Sequence, residues 1–201
     1  MIVNMNERLE EMIHFLLPFM EENFDKSREI LQDKIVCNAP EIWNDLKSVI
    51  HKVLESTDEL QKQNRKGSLQ YLLFSFMQYG VCSGLLEMRV CAFDDRFYLD
   101  EEEAAEIFPL TFLQDQYGKD ITYLYQKAEE KFVRIQNHER TDIRECYSGY
   151  YDSIAYAVVE SLAELIMKEI AESGVKITDR FQILYGGYMD QTATVYSKEK
   201  H

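Results

Sequence analysis

The sequence predicts an α+β fold, mainly α. A helical, bundle-like core carries a small antiparallel β-hairpin over residues 86–100, with 180–196 as a possible extension of it. Three observations lead there. Apolar residues recur at helical spacing over most of the chain. Between Leu86 and Asp100 they alternate instead: Met88, Val90 and Ala92 point one way, and Glu87, Arg89, Cys91 and Phe93 the other. Near the C-terminus, Thr192-Ala193-Thr194-Val195-Tyr196 has strong strand preference.

Residues 6–35 read as helix, with Leu9, Met12, Ile13, Leu16, Leu17, Met20 and Phe24 on one face. Pro18 lies inside the pattern, so a kink or break is expected near Leu17. Asn38-Ala39-Pro40-Glu41 is a helix start. The helix it opens carries Ile42, Trp43, Leu46, Val49, Ile50, Val53 and Leu54 on one face, and Gly67 suits its left-handed cap. Residues 69–79 are apolar on most sides and read as a central helix.

In the hairpin, an Asp94-Asp95 turn sets Val90 opposite Leu99, Ala92 opposite Phe97 and Arg89 opposite Asp100. Asp100, with Glu103 three residues on, then has the form of a capping box for a short helix ending at Pro109. Tyr117-Gly118-Lys119-Asp120 reads as a loop, followed by a helical stripe from Ile121 to Ile135. The last helix runs from about Thr141 to Ser173, with Gly174 as its stop. Its segment 154–167 is expected to pack with 69–79 at the core. A Gly186-Gly187 turn would bring Ile183 opposite Asp190 and Leu184 opposite Met189, a register with no clean apolar face. Residues 197–201 read as a frayed polar end.

Absence of repeats or Pro/Gly/Ser linkers in 201 residues favours one compact domain, 1–201. The net charge of −14, from 36 acidic and 22 basic side chains, opposes direct nucleic-acid binding and docking on anionic lipid. It favours solubility and a basic protein partner. The acid-rich start and the lack of a run of about 20 apolar residues point away from a membrane, and cysteines read as reduced suit the cytoplasm. Cysteines 37, 82, 91 and 146 form no C-x-x-C pair; Cys37, Cys82 and Cys91 lie among apolar residues and read as structural, reduced thiols. A second copy of the chain is another possible partner for the apolar faces of the first two helices.

Catalytic signatures are missing: there is no nucleophile elbow, phosphate loop, dinucleotide fingerprint or H-E-x-x-H. This points away from an enzyme and implies no cofactor. Glu11 and His14 stand at i and i+3, as in carboxylate-bridged metal bundles, but no second E-x-x-H accompanies them. His138-Glu139, near Asp142 and Glu145, is a weak general-base arrangement with no nucleophile tied to it. Tyr147, Tyr150, Tyr151 and Tyr156 form the densest of the tyrosine clusters; core packing with hydroxyls at the rim is the favoured reading, and an exposed patch suited to a protein interface, where tyrosine is enriched, is the alternative.

The resulting functional expectation is a non-enzymatic cytoplasmic interaction or regulatory protein with an acidic surface, binding through Tyr147, Tyr150 and Tyr151. The alternative is a small-ligand binder or enzyme. Its pocket would lie between helices and hairpin, with Arg89, Arg96 and Tyr98 as polar contacts.

Overall fold

A computed structural model describes residues 5–187 and 191–198. In chain order the elements are α1 (Met5–Cys37), α2 (Ala39–Lys62), β1 (Leu69–Phe76), α3 (Gln78–Ser83), β2 (Glu87–Phe93), a 3-10 turn (Phe97–Leu99), β3 (Ala104–Pro109), α4 (Thr111–Lys131), α5 (Asn137–Ser173), β4 (Ile177–Gly186) and β5 (Thr192–Ser197). The protein is α+β and mainly α, with one five-stranded mixed sheet of order β3-β2-β1-β4-β5. Among the described residues only the β1–β4 pair is parallel.

The chain groups into two compact units. The first comprises residues up to Asn38, Gln78–Leu86 and Thr111–Ser153, and so contains α1, α3, α4 and the first half of α5. Its interior holds Met12, Leu16, Met20, Leu31, Leu113, Tyr117, Leu124, Ile143, Tyr147 and Tyr151. The second comprises Ala39–Met77, Glu87–Leu110 and the chain from Ile154, and so contains α2, the sheet and the second half of α5. In it, register places Leu72 with Ala92, Phe74 with Val90 and Phe76 with Met88 on one sheet face. On the other face Leu73 lies between Cys91 and Leu184, and Phe93 completes an apolar cluster.

The strand at 87–93 forms as its alternation predicts, but its hairpin does not. Residues 97–99 make a 3-10 turn, and β2 pairs with β1 and β3 instead. Val90 therefore lies opposite Phe74 and Glu106 rather than Leu99, and Ala92 opposite Leu72 and Ala104 rather than Phe97. Segment 69–79 is not a helix: 69–76 is β1. Its L-Q-Y-L-L-F-S-F run is apolar on both sides because both faces of this central strand are buried, which erases the period-2 signal.

The acidic run at 100–103 caps no helix. Strand β3 follows it, and the next helix begins at Thr111, after Pro109. Residues 117–120 are not a loop but the middle of α4. Glycine costs about 1 kcal/mol in a helix, and burial of Leu113, Tyr117, Ile121 and Leu124 along the same helix outweighs it. Pro18 does not break α1, which continues to Cys37 with Leu16 and Met20 fully buried on either side.

The end of α2 is closed by Asn64, not by Gly67. Asn64 has φ +55, and the Arg65 N–H donates to Leu60 O at 3.0 Å, with the Asn64 N–H on Gln61 O at 3.1 Å. This is the paired pattern of a Schellman cap. Gly174, at φ +78, ends α5 as expected.

β4 and β5 join the sheet, with Gly186 opposite Thr192, Tyr185 opposite Ala193 and Ile183 opposite Tyr196. The connection is thus longer than a two-residue turn. The expected partners Met189 and Asp190 lie outside the described residues, as does most of the 197–201 end. All four cysteines are free; Cys91 is buried, while Cys37 is exposed, because the apolar face of α1 turns away from its last residues. No helix among the described residues is long and apolar enough to cross a membrane.

Candidate functional site

The loop between β2 and β3, residues 94–103, holds Arg96 and Tyr98, two of the three residues expected to line a pocket. It is tied down by a buried ionic network within the second unit. Lys66, in the turn after α2, donates from Nζ to the Asp100 carboxylate and, at 2.6 Å, to Glu102 O. Neither the Lys66 nor the Asp100 side chain is exposed at all. Asp100 also accepts from the Asp94 and Glu102 backbone N–H groups, each at 3.1 Å.

Arg96 closes the loop. Its Nη2 donates to Asp94 Oδ2 at 2.7 Å and to Asp100 Oδ1 at 3.2 Å. Burial on its own would raise the Asp94 carboxyl's pKa. Hydrogen bonds from Arg96 and the Gly67 N–H outweigh that and hold it below the usual carboxylate range.

This frame carries a strained residue. Phe97 has φ +53, a left-handed conformation that costs a non-glycine residue about 1–2 kcal/mol. Its ring packs against Tyr71 at 4.7 Å and Phe93 at 5.3 Å, and Tyr98 lies beside Phe93 at 5.6 Å. The turn leaves Leu99 80% exposed, with Asp95, Glu101 and Glu103 also at the surface. Backbone strain held in place by surrounding contacts clusters at functional segments.

Arg89 does not oppose Asp100. It lies opposite Ser75 and Ile107 on β2 and pairs with Glu103. A shallow groove of about 390 Å³ adjoins it, lined by Met77, Arg89, Glu103, Ala105, Glu106 and Ile107. Arg96 and Tyr98 are not in its lining, so the three residues expected to share a pocket are divided between groove and loop.

The tyrosine cluster in the first unit is mostly interior. Tyr147 and Tyr151 are fully buried and donate to Asp120 Oδ2 at 2.8 and 2.6 Å. Ser27 and Gln116 donate to Oδ1 at 2.8 and 2.9 Å, so the buried Asp120 is fully hydrogen-bonded. Desolvation, then the hydrogen bond to Asp120, pushes the Tyr151 hydroxyl's pKa up; Tyr147 is raised mainly by desolvation. Tyr150 is half-buried against Phe24 at 4.8 Å. Tyr147 and Tyr151 therefore cannot form an exposed patch with it. Their α-helical i, i+4 spacing marks a shared face but not which way that face points.

Glu11 pairs with Lys131 at 3.0 Å, and His14 is exposed. Among the described residues there is no group of three or more His, Cys, Asp or Glu placed to hold a metal ion. Glu139, beside His138, is buried at the start of α5. It accepts from the Gln136 N–H at 2.8 Å and from Arg8 at 2.6 Å, which is the work of a cap rather than of a base.

A second polar site escaped the sequence reading. Within the second unit, α2 and α5 border a cavity of about 360 Å³ lined by Lys47, His51, Leu54, Glu55, Asp58, Glu169, Glu172 and Ser173. Glu169, 9% exposed, accepts from Lys47 Nζ at 2.6 Å and lies 2.7 Å from His51 Nε2. The Lys47 hydrogen bond, then that of His51, holds the Glu169 carboxyl below its ordinary range against desolvation. The signal was present, since Lys47, His51, Glu55 and Asp58 fall at helical spacing along α2. Glu169 lies more than a hundred residues away, and nothing local links it to them.

Comparison with protein-family models, curated proteins and solved structures finds no match for this chain.

Proposed function

We propose that this protein is an acidic interaction module that engages a basic protein partner through the loop at 94–103. The observation that supports this reading is Leu99, 80% exposed on a segment whose backbone is otherwise pinned. An apolar side chain held out by a strained residue and a buried ionic network is pre-ordered for docking, which lowers the entropy lost on binding. Asp95 and Glu101 beside it form an acidic rim. The complementary surface is an apolar pocket edged by lysine or arginine, and charge complementarity of this kind sets association rate and specificity.

The test is co-purification from the native host with the wild-type chain and with Leu99→Asp, both checked for equal thermal stability. A protein bound by the wild type and lost with Leu99→Asp, in a salt-sensitive manner, supports the reading. Recovery of the same proteins by both chains would sink it.

A further inference from the structure

The cavity between α2 and α5 has no part in the interaction loop, and its charges are sorted by position. Lys47 and His51 stand at one end, gathered on the buried Glu169. Further along α2 come Glu55 and Asp58, with Glu172 and Ser173 on α5. Leu54 gives the lining an apolar surface, 2% exposed. From His51 to Glu55 the helix rises about 6 Å, at 1.5 Å per residue.

The two ends differ in what they can still bind. Lys47 spends one of its three N–H groups on Glu169 and keeps donors for an anion. His51 uses Nε2 toward Glu169, which leaves Nδ1 as its second polar atom. At the other end Asp58 is neutralised by Lys62 at 2.5 Å, and Ser173 Oγ donates to Ile170 O. Glu55 is exposed and makes no ion pair among the described residues, so its carboxylate is available to a cation.

We infer that this cavity binds a small zwitterion whose carboxylate meets Lys47 and His51 and whose ammonium group, about one helical turn further along α2, meets Glu55. The chemical class is an ω-amino acid, with one carboxylate and one ammonium group. A dication leaves Lys47 facing a like charge, and a dianion does the same to Glu55 and Glu172. The mixed polarity thus selects for one charge of each sign. The volume of about 360 Å³ accommodates a ligand of that size.

The experiment is a thermal-shift and calorimetric titration of the full chain with 5-aminopentanoate, 1,5-diaminopentane and glutarate in parallel, each to about 10 mM, where specific binding raises stability by mass action. 5-Aminopentanoate is expected to raise the melting temperature and the other two to leave it unchanged. Glu55→Gln alters an exposed side chain and should fold normally; Lys47 is half-buried on Glu169, so Lys47→Ala is titrated below its own melting temperature. Each is expected to weaken 5-aminopentanoate binding by about tenfold, the size of one charge-assisted hydrogen bond. A flat response to 5-aminopentanoate would overturn the inference. So would equal responses to all three compounds, or unchanged affinity in either variant.

Discussion

Lys66 and Asp100, separated by 34 residues in sequence, form an ion pair with both side chains wholly removed from solvent. It connects the end of α2 to the loop before β3 and gives that loop its shape. Removing one partner of such a pair leaves a buried charge uncompensated, at about 3–5 kcal/mol. Lys66→Met is therefore expected to lower the unfolding free energy by that amount in urea titrations, with Lys66→Met/Asp100→Asn recovering part of the loss. A Lys66→Met variant as stable as the wild type would refute the pair's structural role.

A similar argument applies to Asp120, which receives four side-chain hydrogen bonds and has no cationic partner among the described residues. Tyr151→Phe deletes one bond to a charged acceptor and should cost about 1.5–3 kcal/mol. Asp120→Ala strands several buried donors at once and should cost more. Chemical denaturation monitored by circular dichroism separates the two, and the reverse order would contradict this account.

The pH dependence follows from the same groups. Asp94, Glu139 and Glu169 have carboxyl pKa values held below their ordinary range in the folded protein. A depressed folded pKa means that the unfolded chain binds protons first as pH falls. The stability they contribute is full above about pH 4–5 and is lost progressively below it. Tyr117, Tyr147 and Tyr151 are shifted up, chiefly by desolvation. Their contribution is full below about pH 10 and falls as pH rises beyond it. Thermal melts across pH 3–12 should therefore show losses at both ends. Alkaline tyrosinate absorbance should appear in two phases, the later one coincident with loss of helix; a single early phase would count against burial of the three hydroxyls.

Two backbone positions give sharper expectations. Asn64 occupies the left-handed cap of α2, so Asn64→Gly should be neutral or slightly stabilising, while Asn64→Val should cost about 1–2 kcal/mol. At Gly186 an added methyl group would meet Gln191 O and, at 2.9 Å, Thr192 Cα. Gly186→Ala should disturb the β4–β5 pairing and lower the melting temperature. Hydrogen exchange of the Thr192–Ser197 amides would report it, and unchanged protection there would argue against so close an approach.

Much of this protein was legible in single elements. The apolar stripe of α2 was readable in order, and Ile42, Leu46, Ile50, Val53 and Leu54 are buried as its spacing requires. Strand β2 was visible in its alternation, and Gly174 marked the end of α5. The sequence by itself thus determined the α+β class, most helical faces and several boundaries. These depend on interactions within a few residues, where spacing and conformational preference act directly.

Tertiary structure alone decided what each face meets. β1 reads as apolar all round because β2 and β4 flank it and both its faces are covered, and its parallel partner β4 begins about a hundred residues later. Asp100 looks like a helix cap and is a buried counter-ion of Lys66; Asp120 looks like a loop residue and is the hydrogen-bond centre of its unit. The Glu169 site joins α2 to a residue 118 positions beyond His51. Periodicity states which side of an element is apolar or charged. It carries no information about which distant element will cover that side, because that choice is made by packing and desolvation across the whole fold.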